Sequence, residues 1–145
     1  MSVDEAIHPP VRMMGFVEAV RTCLLKYATL RGRARRSEYW FFVLFYWIVL
    51  IGAVMLDVVI DTGENFPIAI VASLGLVLPH LAASIRRFHD SDHSGWWYVL
   101  NFVPLVNIVF AIVQLIWLCQ PGSDGSNRFG PAPEDPDTKI ASAFD

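Results

Sequence analysis

The chain has 145 residues, of which 54% are hydrophobic and only 17% charged, and its mean hydropathy of +0.45 is too apolar for an ordinary soluble domain. The net charge of −3 hides an asymmetry, because Arg12, Arg21, Lys26, Arg31, Arg33, Arg35 and Arg36 all precede the first long apolar run. Cys23 and Cys119 stand in apolar contexts without CxxC or HxxxC spacing, so neither a disulfide framework nor a zinc site is indicated.

Residues 1–12 contain Asp4, Glu5, Pro9 and Pro10 and lack the apolar core of a cleavable signal, so they are expected to form a flexible N-terminus. From 13 to 30, Met13, Phe16, Val17, Val20, Leu24 and Tyr27 recur at helical spacing opposite Glu18, Arg21, Thr22 and Thr29. That pattern predicts an amphipathic helix lying along a membrane surface. Three stretches free of Asp, Glu, Lys and Arg follow, Tyr39–Leu56, Asn65–Ile85 and His93–Ser123, each about the length that crosses a bilayer core. The expected architecture is therefore all-α, an integral membrane helical bundle with about three transmembrane helices, near 39–60, 66–85 and 96–118.

Ser37 is the expected N-cap of the first span, with Glu38 placed favourably toward the helix dipole. Asp57, near that span's far end, is expected to reach water. Pro79 lacks an N–H and so frees the carbonyl of Gly75, which predicts a kink in the second span. A polar loop, Arg86 to Gly95, leads into the interfacial aromatics Trp96, Trp97 and Tyr98. The last apolar run contains Asn101, Pro104 and Asn107, so it makes either one kinked crossing or a short helix that turns back; a single crossing is the reading adopted. Residues 120–145, rich in Pro, Gly and acids, are expected to form an extended tail.

Nine of the eleven basic residues lie before the first span or at Arg86-Arg87, and the turn Asp61-Thr62-Gly63-Glu64-Asn65 has none. Basic segments stay in the cytoplasm, so the N-terminus is expected there and the acidic turn outside. Three crossings would put the tail outside, whereas a re-entrant last run would bring Arg128 and Lys139 inside.

Three segments carry a resemblance: Arg31-Gly32-Arg33-Ala34-Arg35-Arg36-Ser37-Glu38-Tyr39-Trp40; Arg86-Arg87-Phe88-His89-Asp90 with Ser94-Gly95-Trp96-Trp97; and Pro121-Gly122 through Asn127-Arg128-Phe129-Gly130-Pro131. In order and spacing they resemble the bacterial inner-membrane family called domain of unknown function 805, over roughly residues 16–133. Phe88, Ser91 and Asn107 depart from the residues usual in that family. The resemblance implies a small multi-pass protein of the bacterial inner (plasma) membrane and supplies no reaction.

Arg31, Arg33, Arg35, Arg36, Arg86 and Arg87 are the candidates for binding an anionic lipid or other anionic ligand, since guanidinium forks from two segments can converge on one phosphate. The reading placed first for them is a topology signal with electrostatic attraction to anionic lipid. His89, Asp90, Asp92 and His93 are weak metal candidates, because two imidazoles four apart on a helix can share an ion, although Ser94-Gly95 argues for a turn. The third group is the family-like tail motif, Asn127, Arg128, Phe129, Gly130 and Pro131. No catalytic signature is present, neither GxSxG, P-loop, HExxH nor a dinucleotide loop. No catalytic residue, resident metal or cofactor is therefore expected.

The expected partners are membrane lipids with anionic headgroups, and possibilities among proteins are a second copy or another membrane protein; a basic run against a bilayer excludes nucleic acid. The function expected is a scaffold, assembly or envelope-interaction role in the inner membrane. A component of a small-molecule or ion transporter acting as an oligomer ranks second, and a membrane enzyme or headgroup-binding protein third.

Overall fold

The computed structural model describes residues 14–133, which form four α-helices and one 3-10 helix. Residues 1–12 and the end of the tail, 134–145, lie outside the described residues.

Helix α1, Phe16–Leu25, is shorter than the 13–30 segment expected. Its buried positions are Ala19 and Cys23, four residues apart, so one small-residue face packs against the bundle. Phe16, Val17 and Leu24 of the apolar stripe face outward. Lipid is as apolar as leucine, so a membrane helix loses little by leaving such side chains outside and gains close packing from small ones inside.

Helices α2, Arg36–Val59, and α3, Pro67–Asp90, have 24 residues each. At 1.5 Å per residue each is about 36 Å long, enough for a hydrocarbon core of about 30 Å. In their most apolar stretches only 17% and 28% of residues are buried within the protein. Water would not tolerate so much outward apolar surface, and the architecture is an all-α membrane bundle.

Several local expectations change. Ser37 is not the N-cap of α2: Arg35 holds that position and its carbonyl accepts from Tyr39 N at 3.1 Å. Asp57 does not reach water. It is buried, and its carboxylate accepts from the backbone N–H groups of Ile68 (3.1 Å) and Ala69 (2.8 Å) and from Thr62 Oγ1 (2.7 Å). It thereby caps the free N–H groups at the start of α3, across the turn, and offers that helix end a negative charge. Pro79 does free the carbonyl of Gly75, and Tyr27, from the segment after α1, donates its hydroxyl to that oxygen.

The helix expected over 96–118 is not continuous. The run divides into a 3-10 helix, Gly95–Phe102, and α4, Val106–Cys119, with the chain reversing at Val103–Leu105. Leu105 takes a positive φ of 66° there. The arms are about 16 and 21 Å long, so neither spans the core alone. Pro104 ends the first arm, Asn101 Nδ2 donates to Tyr98 O at 2.9 Å, and Asn107 N donates to Val103 O at 3.0 Å, so the backbone at the break is partly satisfied within the protein. Both outer ends of this hairpin return to the arginine-bearing end of α3, where His93 stacks on Trp117 at 3.9 Å. The core of the bundle is built there, from Cys23, Tyr39, Phe42, Ala83, Phe88 and Leu118.

Candidate functional site: a buried arginine knot

The loop expected from Arg86 to Gly95 is in its first half helical, because α3 continues to Asp90. The last turns of α3 therefore carry Arg86, Arg87 and Asp90 inward, and Arg86 and Arg87 are both 0% exposed. Gly32, with φ +87°, turns the preceding chain so that Ala34 N donates to Arg86 O at 3.0 Å and Arg33 is buried against α3.

Asp90 is the centre of the knot. One carboxylate oxygen accepts from Arg33 Nε at 2.9 Å and the other from an Arg87 guanidinium nitrogen at 2.7 Å. The cations then reach past Asp90 to backbone carbonyls: Arg33 donates to Ser123 O and Gly125 O, both at 2.5 Å, while Arg87 donates to Leu118 O at 3.1 Å and to Gln120 O. Exposed Arg36 donates to Cys119 O at 3.1 Å. Helix α4 has no basic residue in its last turn; Arg36 and Arg87 supply from other helices the positive charge its C-terminal carbonyls favour.

A second pair lies deeper. Arg86 donates to Glu38, with Cys23 Sγ beside both at 3.9 and 3.7 Å respectively. Burial and the neighbouring Glu38 charge push the Cys23 thiol up to about 12, so it is held protonated.

The tail folds back over the knot rather than extending away. Ser123 N donates to Asp90 O at 2.8 Å, and Asn127 Nδ2 donates to His89 O at 2.8 Å. Phe129 stacks on the His89 ring at 3.9 Å with 6° between the planes. Arg128 pairs with Asp92 at 3.1 Å in an exposed bridge, and Arg35 donates to Pro133 O at 2.8 Å, which fastens the chain beyond Gly130 and Pro131. Gly122 passes so close that a Cβ there would lie 2.7 Å from Asp90 Cγ.

The six candidate arginines thus do not converge on one anion. Arg33 and Arg87 share Asp90, Arg86 takes Glu38, Arg35 and Arg36 hold backbone of the tail and of α4, and Arg31 stands exposed. The four metal candidates are also drawn apart. Asp90 faces the arginines, Asp92 faces Arg128, His89 faces Phe129 with Nδ1 donating to Gly32 O at 3.2 Å, and His93 faces Trp117. Among the described residues no group of three or more His, Cys, Asp or Glu side chains is placed to hold a metal. Burial lowers the pKa of His93, which lies between the helices. Glu38 and the carbonyls of 118–125 are the site residues that sequence reasoning missed, and Asp90 was a metal candidate where the structure makes it a counter-ion; the only signal was that both acids sit inside otherwise basic motifs.

Three separated segments, residues 31–38, 86–95 and 120–133, therefore meet in one structure. The profile of a family described as "Protein of unknown function (DUF805)" matches residues 27–131, the stretch that contains them. The chain belongs to this family. Relatives include the inner membrane protein YhaI of Escherichia coli K12, 41% identical over 112 residues that cover 77% of this chain and 91% of the relative. Inner membrane protein YhaH of the same organism is 37% identical over 114 residues, covering 77% of this chain and 92% of the relative. No solved structure matches the chain. The family's description names no reaction.

Proposed function

We propose that the chain is a multi-pass inner-membrane protein with a scaffold, assembly or envelope-interaction role, and that the knot is a fastener and not a reaction centre. The observation that carries this reading is that the knot's charges are directed at one another and at backbone carbonyls, with Arg33, Glu38, Arg86, Arg87 and Asp90 all buried. Arg33 and Arg87, each already holding a carboxylate and carbonyls, have no free donor fork to offer a substrate, and Arg86 turns its two terminal nitrogens onto Glu38 and Cys23, with only its Nε unpaired. What the protein presents outward is apolar surface, on α2, on α3 and on the hairpin, which suits lipid or a membrane partner.

The orientation proposed follows from charge. The arginine-rich end lies in the cytoplasm, and the turn carrying Asp61 and Glu64 faces outward. Two crossings, α2 and α3, with a re-entrant hairpin then keep the N-terminus, the knot and the tail on the cytoplasmic side.

Chemical cross-linking of native membranes followed by affinity purification tests the role. A defined membrane or envelope protein recovered at fixed stoichiometry supports a scaffold. Purified chain that promotes substrate-dependent flux in proteoliposomes, with no such partner, would replace it with transport.

A further inference from the structure

Beside His89, a cavity of about 470 Å³ lies between α3 and the 3-10 helix of the hairpin. Its volume is within the range of small-ligand pockets, about 300–1,000 Å³. The walls are Leu81 and Ile85 of α3 and Trp96, Val99 and Phe102 of the 3-10 helix, and the rim is formed by Leu30, Ser94, His89 and Phe129. Gly95 lets the 3-10 helix approach α3 closely: a Cβ at that position would lie 2.6 Å from Ile85 Cγ2 and 3.4 Å from His89 Nε2.

The charge around the mouth is not neutral. Exposed Arg31 follows the rim residue Leu30 and precedes Gly32, whose carbonyl holds the rim residue His89. Arg128 lies with its guanidinium carbon 4.8 Å from the centroid of the rim residue Phe129. Asp92 pairs with Arg128 and offsets one of these two cations, which leaves the charge of exposed Arg31, next to Leu30 in the chain. An apolar cavity with cationic residues beside it is complementary to a molecule with a hydrocarbon chain and an anionic head. Trp96, one of the aromatics expected at the headgroup interface, lines the same cavity.

We propose that this cavity holds one acyl chain of an anionic phospholipid of the cytoplasmic leaflet, with its phosphate against Arg31 and Arg128. The inference rests on the membrane orientation proposed above and adds a lipid site that the buried knot does not provide. Bound there, the lipid ties the hairpin to α3 and so couples its packing to the charge of the surrounding bilayer.

The test reconstitutes the full chain in vesicles of mixed phosphatidylethanolamine and phosphatidylglycerol. Either lipid is supplied as a probe with a diazirine on its acyl chain, and labelled residues are located by mass spectrometry. The phosphatidylglycerol probe is expected to label the wall around Leu81 and Val99 in preference to the phosphatidylethanolamine probe, while both label the outer face of α4 at Ile108 and Ile112 alike. Arg31→Gln, a surface change that leaves the fold alone, should reduce that preference about fivefold, the effect of one basic residue near a headgroup surface. Val99→Trp should fill the slot and abolish the wall label while α4 stays labelled. Equal wall labelling by the two probes overturns the anionic headgroup, as does a preference unchanged in Arg31→Gln. An α4 label without a wall label means that protein fills the cavity, and overturns the lipid site although the membrane placement stands. No label on either face overturns both.

Discussion

Asp90→Asn removes one negative charge from between two buried guanidinium groups while keeping the shape of the side chain. Asp90 accepts from Arg33 at 2.9 Å and from Arg87 at 2.7 Å, and all three side chains are 6% exposed or less. Removing one partner of a buried pair leaves an uncompensated charge and costs about 3–5 kcal/mol. Here two cations lose their shared counter-ion, and the carbonyls of Ser123, Gly125 and Leu118 replace only part of it. Proteins have about 5–15 kcal/mol of stability in all, so a loss near 4 is expected to release the tail before it unfolds the helices. The assay is trypsin cleavage after Arg128, which tracks the population of the released tail when reclosing is fast. Cleavage should accelerate by about a thousandfold at the full 4 kcal/mol, or until the tail is open most of the time. Asp92→Asn is the internal control: its bridge to Arg128 is 60% and 51% exposed, and such pairs are worth about 0–1 kcal/mol. Equal, small effects of the two substitutions would refute a buried charge at the centre of the knot.

Gly122→Ala places a methyl group on the Asp90 carboxylate and should cost about 1–3 kcal/mol, seen as a lower melting temperature in detergent and faster tail cleavage. A maleimide at mildly alkaline pH should modify exposed Cys119 and leave Cys23 unmodified until the protein unfolds, because Cys23 is buried and its thiol is held up to about 12; mass spectrometry of the labelled protein checks both. Burial holds His93 below its ordinary value, so the unfolded chain binds that proton first as pH falls. Its contribution is accordingly complete above about pH 6.5 and declines below it, and His93→Phe should remove that part of the acid sensitivity of thermal unfolding.

The two long helices were legible because charge-free runs bounded by Glu38, Asp57, Glu64 and Arg86 state their apolar faces directly. The extension of α3 to Asp90 was not, since a window that scores hydropathy reads Arg86, Arg87, His89 and Asp90 as loop. Their burial depends on Glu38 and the tail, at sequence distances of 48 residues for Arg86 with Glu38 and 57 for Arg33 with Asp90. No local spacing rule reports a pair so far apart. The arginines were therefore found, but as free cations. The last run was misread for a related reason: summed hydropathy does not register direction, and a hairpin of two short arms scores like one long helix. Asn101, Pro104 and Asn107 were the only marks of the reversal. The apolar stripe of α1 was legible as a pattern, but the small residues Ala19 and Cys23, which carry its packing, were not part of it.

A hairpin that does not cross leaves the tail to dock on the same side of the membrane as the arginine knot, as proposed above. The most direct measurement is a matched pair of C-terminal fusions in the bacterial inner membrane, one to a fluorescent protein that matures in the cytoplasm and one to alkaline phosphatase, which is active only outside it. The account predicts a bright fluorescent fusion and an inactive phosphatase. A dark fluorescent fusion with an active phosphatase would place the tail across the membrane from Arg33, Arg87 and Asp90, and would contradict it.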